Sequence, residues 1–452
     1  MSDPALSGAD ISPADPPRSA SPVRRPSSGA KGFGAVLRNR SFMNIWLAQM
    51  ASQTAQNSLW YVLIVLVANL TGSSPAGIGF TIILVQIPTV LFSSVSGVLV
   101  DRVSKRTILV GTNAIRVVGV LAYFLLQTHV GGLFVVTFLV GVISQPFAPA
   151  EGSTLPLLVE GDELITANTL FQTTFMASQA VGFAIAPIAI GFLGIPTTLL
   201  IIAGLFAFAA VILLPLPAIT RRHASDAGLS VAKLSRHVWG DLREVTTFIR
   251  ADPKLVLALF QIALAPTLLL LLAEVGPEFL THTLHIGNTG TSLFFLLAPA
   301  GVGLGIGITI LGQFGARLRK ERLVIVALLG LGITVIGLAA VPAIATLWIG
   351  LGTLGIHPPQ GVQFIIIMAP IAALLGIEVA FINAPVQTIV QERAAPELRG
   401  RVLALQQTLT AGLAIPPLIV VGAISSLFGT PATLSMVGLV LIGMGMISVY
   451  YA

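Results

Sequence analysis

Residues 97–106 read Gly-Val-Leu-Val-Asp-Arg-Val-Ser-Lys-Arg, a short charged segment between two long apolar runs. The runs cover residues 77–100 and 107–127, and each is long enough to cross the roughly 30 Å hydrocarbon layer of a membrane as a helix. Three basic side chains lie in or beside the turn between them. Because short basic loops stay on the cytoplasmic side, this segment predicts the direction of both crossings.

The same alternation of apolar runs and short loops continues along the chain. Hydrophobic residues make up 55% of the 452 residues and charged residues only 9%, a composition that a soluble globular fold does not accommodate. Twelve apolar spans can be counted, near residues 42–69, 77–100, 107–127, 132–150, 167–191, 196–216, 254–275, 291–313, 322–345, 363–389, 402–426 and 431–451. The sequence therefore predicts an all-α membrane protein with twelve transmembrane helices.

The positions of lysine and arginine orient these spans. Of 24 such residues, 23 fall in the N-terminal tail or in even-numbered loops, and only Arg116 lies inside a span. This distribution predicts a multi-pass protein of the plasma membrane with both termini in the cytoplasm. The net charge of +6 then reflects topology and contact with anionic lipids, and nucleic-acid binding has no support. Since the chain has no cysteine, disulfides, thiolate metal sites and thiol nucleophiles are excluded.

The spans divide into two groups of six. Residues 1–41 are rich in Pro, Ser and Gly without an apolar run, which predicts a disordered cytoplasmic tail. Residues 217–253 form the central loop, whose apolar residues have a helical spacing that predicts an interfacial helix. The two predicted six-helix bundles therefore cover residues 42–216 and 254–452.

A modest internal repeat relates the two bundles. An offset of 234 residues aligns several positions of like type, including Phe147 with Phe381, Gln172 with Gln406 and Thr174 with Thr408. Two parallel six-helix repeats predict a substrate site between them near the membrane midplane, opened alternately to each side.

Three segments carry a resemblance to the major facilitator superfamily of transporters. Residues 97–106 are similar to the family's G-x-L-x-D-R-x-x-K/R-R signature between helices 2 and 3. The stretches FAPAEGSTLPLLVEGDELITANTL (147–170) and VQERAAPELRGRVLAL (390–405) resemble its drug-efflux and siderophore-export branch. The resemblance implies the major facilitator fold, with two pseudo-symmetric six-helix bundles, and proton-driven export. The family's helix 5 antiporter motif has Ala186 and Ile190 in place of two glycines, which leaves the direction of transport open.

Asp101, Arg102 and Arg106 form a charged turn at the cytoplasmic end of span 2. Basic residues alone would orient the chain, whereas an acidic residue adds nothing to orientation. We therefore predict a conformational latch in which Asp101 pairs across the halves, near the start of span 11, when the transporter faces outward. The alternative is that the basic residues only anchor the topology.

Three charged residues lie inside predicted spans, where each needs a partner, water or a bound proton. Glu378 is the deepest, and it is either the group that carries a coupled proton or a permanently protonated acid in a structural hydrogen bond. Glu274 is a second candidate for proton coupling, although its position near the outer interface favours a solvated residue at the rim. Arg116 is too deep to reach the interface, so a structural role in an ion pair or hydrogen bonds is expected.

A stripe of amide and aromatic side chains follows one face of span 1, and a face turned to lipid would not carry it. Weaker versions occur in spans 5 and 11. We predict that these residues line a substrate cavity, while some of them instead hydrogen-bond neighbouring helices. The predicted set is Gln49, Gln53, Gln56, Asn57 and Trp60 in span 1, Gln172, Phe175 and Gln179 in span 5, and Gln406 in span 11.

Other chemistries find little support in the sequence. Glu278, His282 and His285 are spaced so that they share one helical side, but no fourth ligand is evident and no metal site is predicted. Neither a nucleotide-binding motif nor a catalytic constellation occurs, so we expect neither an enzyme nor a cofactor. The expected protein is a monomeric secondary transporter that exports amphiphilic small molecules, of the drug or siderophore type, against protons. Uptake of a nutrient or metabolite, and a receptor or scaffold without flux, are the alternatives.

Overall fold

The computed structural model describes residues 36–159, 163–217, 252–286, 289–314, 319–345, 362–393 and 399–451. All regular structure in these ranges is helical. The α-helices are α1 Arg40–Thr71, α2 Pro75–Arg102, α3 Lys105–Leu125, α4 Val130–Ser144, α5 Phe147–Leu158, α6 Glu163–Ile212, α7 Pro253–Glu278, α8 Thr289–Phe314, α9 Lys320–Ala339, α10 Val362–Arg393, α11 Arg399–Phe428 and α12 Thr430–Tyr451. A π-helical turn, Phe279–Thr283, extends α7.

The described helices are consistent with the twelve crossings that the sequence predicts. Ten segments are long and apolar enough to cross a membrane, and α4 and α5 together form one of them. α6 contains two crossings, because Gly194 interrupts it with a φ of 77°, a conformation that glycine adopts without strain. α1 adds one more, since its 32 residues exceed the roughly 20 that a crossing needs, although its amide side chains make it less apolar.

Local signals in the sequence set several helix ends. The Asn39 side-chain oxygen accepts from the backbone N–H groups of Ser41 and Phe42 and so caps α1. The amide nitrogen of Asn39 donates to the carbonyl of Leu158 at 2.8 Å, and Val36 is fully buried. The ordered N-terminal bundle therefore begins before the predicted boundary at residue 42. Residues 1–35 and most of the central loop, with its predicted interfacial helix, lie outside the described residues.

The two halves repeat the same helix packing. In the first half α1 packs on α6, α2 on α4 and α3 on α6; in the second half α7 packs on α11, α8 on α10 and α9 on α12. Ser58 of α1, for example, donates to the carbonyl of Gly182 in the first part of α6. The fold is thus two pseudo-symmetric six-helix bundles, with α1–α6 as the N-terminal half and α7–α12 as the C-terminal half.

The outer surface and the two ends of the molecule differ in polarity. Large apolar side chains are exposed on the outside of the helices, among them Phe192 with 86% of its surface exposed, and such a surface is stable against lipid. Arg102, Lys105 and Arg106 lie where α2 ends and α3 begins. We refer to this end of the molecule as the basic end and to the opposite end as the far end.

Candidate functional site

At the far end the two halves share one apolar core. A single cluster of buried residues includes Tyr61 and Ile78 from the N-terminal half and Leu271 and Leu293 from the C-terminal half. A hydrogen bond also joins the Tyr61 hydroxyl to the backbone of Phe294. Continuous apolar packing of this kind leaves no path for water or solute, so the molecule is closed at the far end.

A polar contact between the halves lies at about half the depth of the molecule. Ser93 of α2 and Thr408 of α11 share a hydrogen bond of 3.0 Å. Ser93 lies nine residues before Arg102 and Thr408 nine residues after Arg399, so each is about 13 Å from the basic end of its helix. Toward the basic end, a second cluster of buried apolar residues belongs to the N-terminal half alone among the described residues. Among the residues whose side chains are described, one apolar cluster therefore joins the halves at the far end, and a separate cluster of the N-terminal half lies at the basic end.

A groove of about 600 Å³ lies between the halves on the basic side. It is lined by amide and hydroxyl side chains of α6 and by two residues of α8, and none of these lining residues is charged. The lining consists of Asn168, Thr169, Gln172 and Thr173 from α6, and Gly305 and Ile308 from α8. An amphiphile would find both hydrogen-bonding groups and apolar contact here, which is the usual character of a small-molecule site.

The structure separates the predicted cavity residues of span 1 into two groups. Gln49 is only 1% exposed, and its amide donates to the carbonyl of Phe171 in α6. Asn57 is also buried; it donates to the carbonyl of Gln53 and packs against Gly182. Gln49 and Asn57 therefore lie against α6 instead of facing a cavity. The half-buried residues of the stripe are Gln53, Gln56 and Trp60.

The predicted residues of spans 5 and 11 also have different surroundings. Gln172 and Gln179 are exposed and Phe175 is half-buried, and Gln172 lines the groove between the halves. Gln406 is buried and donates to the side-chain oxygen of Gln387 in α10 at 3.0 Å. The structure thus brings one member of the predicted set, Gln172, into the groove.

Arg116 lies in a polar cluster inside the N-terminal half. Its Nε donates to Ser144 of α4 at 3.0 Å, and its Nη1 donates to Ser52 of α1 at 3.1 Å. The guanidinium also lies 4.5 Å from the centre of the Phe147 ring, and Glu151 of α5 interacts with it electrostatically. Arg116 therefore connects α3 to three other elements of its own half.

The sequence prediction missed Glu151 as an intramembrane charge. The predicted span 4 ends at residue 150, whereas α5 continues the crossing to Leu158 and buries Glu151, which is 6% exposed. A signal was present, because Phe147, Ala150 and Leu155 have the helical spacing of a buried face and all three are buried. Two prolines in this stretch obscured that spacing.

Glu378 lies inside the C-terminal half. Its Oε1 accepts a hydrogen bond of 3.0 Å from Thr334 of α9. The same oxygen faces Gly330, also of α9, where an added Cβ would come within 2.6 Å of it. Oε1 of Glu378 therefore faces α9 of its own bundle, while Oε2 is buried without a hydrogen-bond partner among the described residues.

Glu274 lies at the contact between the two halves and is fully buried. The expectation of a solvated residue at the rim is therefore wrong. The reason is close packing: Gly79 of α2 and Gly422 of α11 lie against the carboxyl, and the absence of side chains there lets both helices cover it. Among the described residues, neither carboxyl oxygen of Glu274 has a hydrogen-bond partner.

Hydrogen bonds of Glu278, just after span 7, join α7 to neighbouring helices. Glu278 accepts hydrogen bonds from Ser425 at 3.1 Å and Thr430 at 2.9 Å, which connects α7 to the turn between α11 and α12. His282 and His285 are exposed. Within the described part of the chain, no group of three potential metal ligands comes together.

The sequence profile of the Major Facilitator Superfamily matches residues 45–417. The chain belongs to the Major Facilitator Superfamily. It is similar to macrolide efflux protein A of Streptococcus pyogenes, with 24% identity over 392 residues that cover 83% of this chain and 86% of the relative. The protein of the same name from Enterococcus faecalis is 24% identical over 349 residues, which cover 73% of this chain and 95% of the relative.

Solved structures of other transporters share the fold of this superfamily member. The nucleoside transporter NupG superposes with a TM-score of 0.64 at 14% identity, covering 91% of this chain and 98% of that chain. An auto-inhibited peptide transporter of the POT family superposes with a TM-score of 0.66 at 14% identity, covering 91% and 96%. At this level of identity the likeness concerns the arrangement of helices.

The predicted latch of this superfamily member remains a prediction. α2 ends at Arg102, which is exposed, and Arg106 in the first turn of α3 is half-buried. The side chain of Asp101, and those at the start of α11, lie outside the described part of the structure. The pairing of Asp101 across the halves is therefore not tested by the contacts that are described.

Proposed function

We propose that this protein is a proton-driven exporter of amphiphilic small molecules, located in the plasma membrane with both termini and the basic end in the cytoplasm. The observation that carries the proposal is an asymmetry between the halves: one apolar core joins them at the far end, whereas the described apolar cluster toward the basic end belongs to the N-terminal half alone. With the basic end in the cytoplasm, the groove would be open to the compartment from which an exporter loads its cargo.

The uncharged lining of the groove supports as cargo an amphiphile held by apolar contact and hydrogen bonds. A volume of about 600 Å³ lies within the usual range for small-molecule sites, and the amide and hydroxyl groups of α6 adjoin the apolar Ile308. Because the described lining has no basic side chain, it offers no counter-charge to an anionic siderophore. Relatives named macrolide efflux protein A support the same choice, so we propose macrolide-like drugs as the first compounds to test.

Growth of a drug-hypersensitive bacterial host provides the test of cargo. Cells that express the protein should tolerate higher concentrations of one or more macrolides than cells with an empty vector. Gln172→Ala should reduce this protection several-fold, because one hydrogen bond contributes about 0.5–1.5 kcal/mol to binding. Gln127→Ala, the same change at a residue outside the groove, should keep full protection at equal expression. Equal protection by both variants would remove Gln172 from the cargo site.

Inverted membrane vesicles test direction and coupling. Their interior corresponds to the outside of the cell, so an exporter that exchanges cargo for protons accumulates the drug when the interior is acidified. A protonophore should abolish this accumulation. Accumulation in right-side-out vesicles instead would establish uptake. The proposal includes anionic lipids in contact with the basic loops and a monomer as the working unit.

A further inference from the structure

The carboxyl of Glu274 lies in a cradle made by helices from both halves. An added Cβ on Gly79 of α2 would overlap Oε1 of Glu274, and an added Cβ on Gly422 of α11 would come within 2.7 Å of the same oxygen. Gly422 also lies against α2, since its added Cβ would be 3.4 Å from the Cα of Ala76. The side chain of Glu274 therefore fills the place where α2 of the N-terminal half meets α7 and α11 of the C-terminal half.

No described residue in the surroundings offers a counter-charge to a carboxylate at this place. The far-end turns of α2 and α11, within 75–90 and 410–428, contain no titratable residue. On α7 the next carboxylate, Glu278, is hydrogen-bonded to Ser425 and Thr430, and His282 beyond it is exposed. The Tyr61 hydroxyl of α1 is bonded to the backbone of Phe294.

A carboxylate without any donor or positive partner in this apolar cradle is far less stable than the neutral acid. Both oxygens of Glu274 lack a hydrogen-bond partner among the described residues, and the side chain is fully buried. The closed far end therefore requires that Glu274 carries a proton. If α2 moves away from α7 and α11, water enters the cradle and the charged form becomes stable.

We propose that Glu274 is the proton-carrying group of this transporter and that its bound proton holds the far end closed. The inference rests on the proposed function as a proton-driven exporter. A proton from water on the far side forms the O–H bond when the far end is open, and the neutral acid then allows α2 to close over it. Loss of the proton to water that reaches Glu274 from the basic end breaks that O–H bond and leaves an unpaired carboxylate, which favours opening of the far end.

The position of Glu274 distinguishes it from Glu378. The contacts of Glu378 that the structure describes, Thr334 and Gly330, both belong to α9 of the same half. A rocking motion of one half against the other leaves those contacts unchanged. Only the surroundings of Glu274 change when the halves separate, and a change of surroundings is what coupling of a proton to a conformation requires.

The absence of native cysteine makes the far end accessible to site-directed spin labelling. Leu70 in α1 and Phe428 in α11 are exposed at the far end in opposite halves, so Leu70→Cys and Phe428→Cys provide a labelled pair. Distances would be measured in lipid vesicles at mildly acidic and mildly alkaline pH. We expect the open form, which has the long distance between the two labels, to become more populated at alkaline pH. The equilibrium constant between the open and closed forms should rise on the order of 100-fold.

Variants of the labelled protein decide the assignment. Glu274→Gln, which mimics the neutral acid, should stay closed at both pH values, while Glu378→Gln should respond to pH as the parent does. An alkaline opening that persists in Glu274→Gln, or a parent whose distances do not change with pH, would overturn the inference. Failure of the transport assays together with a Glu274-dependent distance change would instead refute only the proposed export, so the two failures are distinguishable.

Discussion

Glu274 and Glu378 are two buried glutamates in helices of the same half, and their surroundings differ in one decisive respect. Glu378 is held by α9 of its own bundle, where Thr334 donates to it. Glu274 is enclosed by α2 of the other bundle and by α11, without a hydrogen-bond partner among the described residues. Depth in the membrane is therefore a poor guide to coupling. What matters is whether the groups that enclose a carboxyl move with it or away from it.

Filling the cradle around Glu274 should have the largest effect of the changes considered. Gly422→Val places side-chain atoms where Glu274 and Ala76 already lie, so we expect the far end to lose its closed conformation. Drug export should fall to the background of the empty vector, and the labelled pair at Leu70 and Phe428 should report a long distance at both pH values. Export assays and distance measurements on the same purified variant provide the check.

A glycine outside the cradle provides the matched control. Gly443 of α12 has no atom within 4 Å of an added Cβ, so Gly443→Val should fold and transport as the parent does. If both glycine variants lose transport equally, the loss reflects general disruption of the membrane helices and not the seam. If Gly422→Val still closes the far end at acidic pH, the cradle is not a constraint on closure.

Arg116 is a third buried charged residue to compare with the two glutamates, and its partners lie within one bundle. Arg116→Met leaves Glu151 buried without its positive neighbour, which costs about 3–5 kcal/mol where the remaining charge cannot relax. We expect a large drop in the midpoint temperature of thermal unfolding in detergent, measured by tryptophan fluorescence. The far-end distances of the protein that remains folded should keep their pH response.

The double variant Arg116→Met with Glu151→Gln tests the cause of that instability. Removing both charges should recover more than half of the lost stability, because the neutral amide no longer needs a positive neighbour. If the single variant is as stable as the parent, the interaction between Arg116 and Glu151 does not stabilise the N-terminal half. A double variant that is no more stable than the single one would assign the loss to the hydrogen bonds with Ser52 and Ser144.

The membrane-crossing helices could be predicted because they depend on properties that the chain carries locally. Apolar length acts segment by segment, and the described helices and the family membership agree with the predicted spans. The orientation drawn from lysine and arginine stays a prediction. The break at Gly194 was likewise predictable as the boundary between spans 5 and 6, since Pro196 follows it closely.

The surroundings of the buried polar residues could not be predicted in the same way. A sequence gives the depth of Glu274, but its cover comes from Gly79 and Gly422, which are distant along the chain. The stripe of span 1 was predicted as one face, yet Gln49 and Asn57 are buried against α6 because span 5 packs along part of that face. Packing between segments decides which neighbour covers a helical face. The hydrophobic periodicity of a single segment does not show which neighbour that is.

The smallest effect is expected at Glu378, where the neutral amide fits the same contacts. In Glu378→Gln the amide oxygen can still accept from Thr334, so the free energy of unfolding should change by less than about 1 kcal/mol. Proton-driven export should persist in inverted vesicles. Glu378→Leu, which removes the acceptor and leaves Thr334 without it, should cost more stability, about 1–3 kcal/mol. If Glu378→Gln abolishes coupling while it remains folded, the proton is carried inside the bundle and the contrast with Glu274 is reversed.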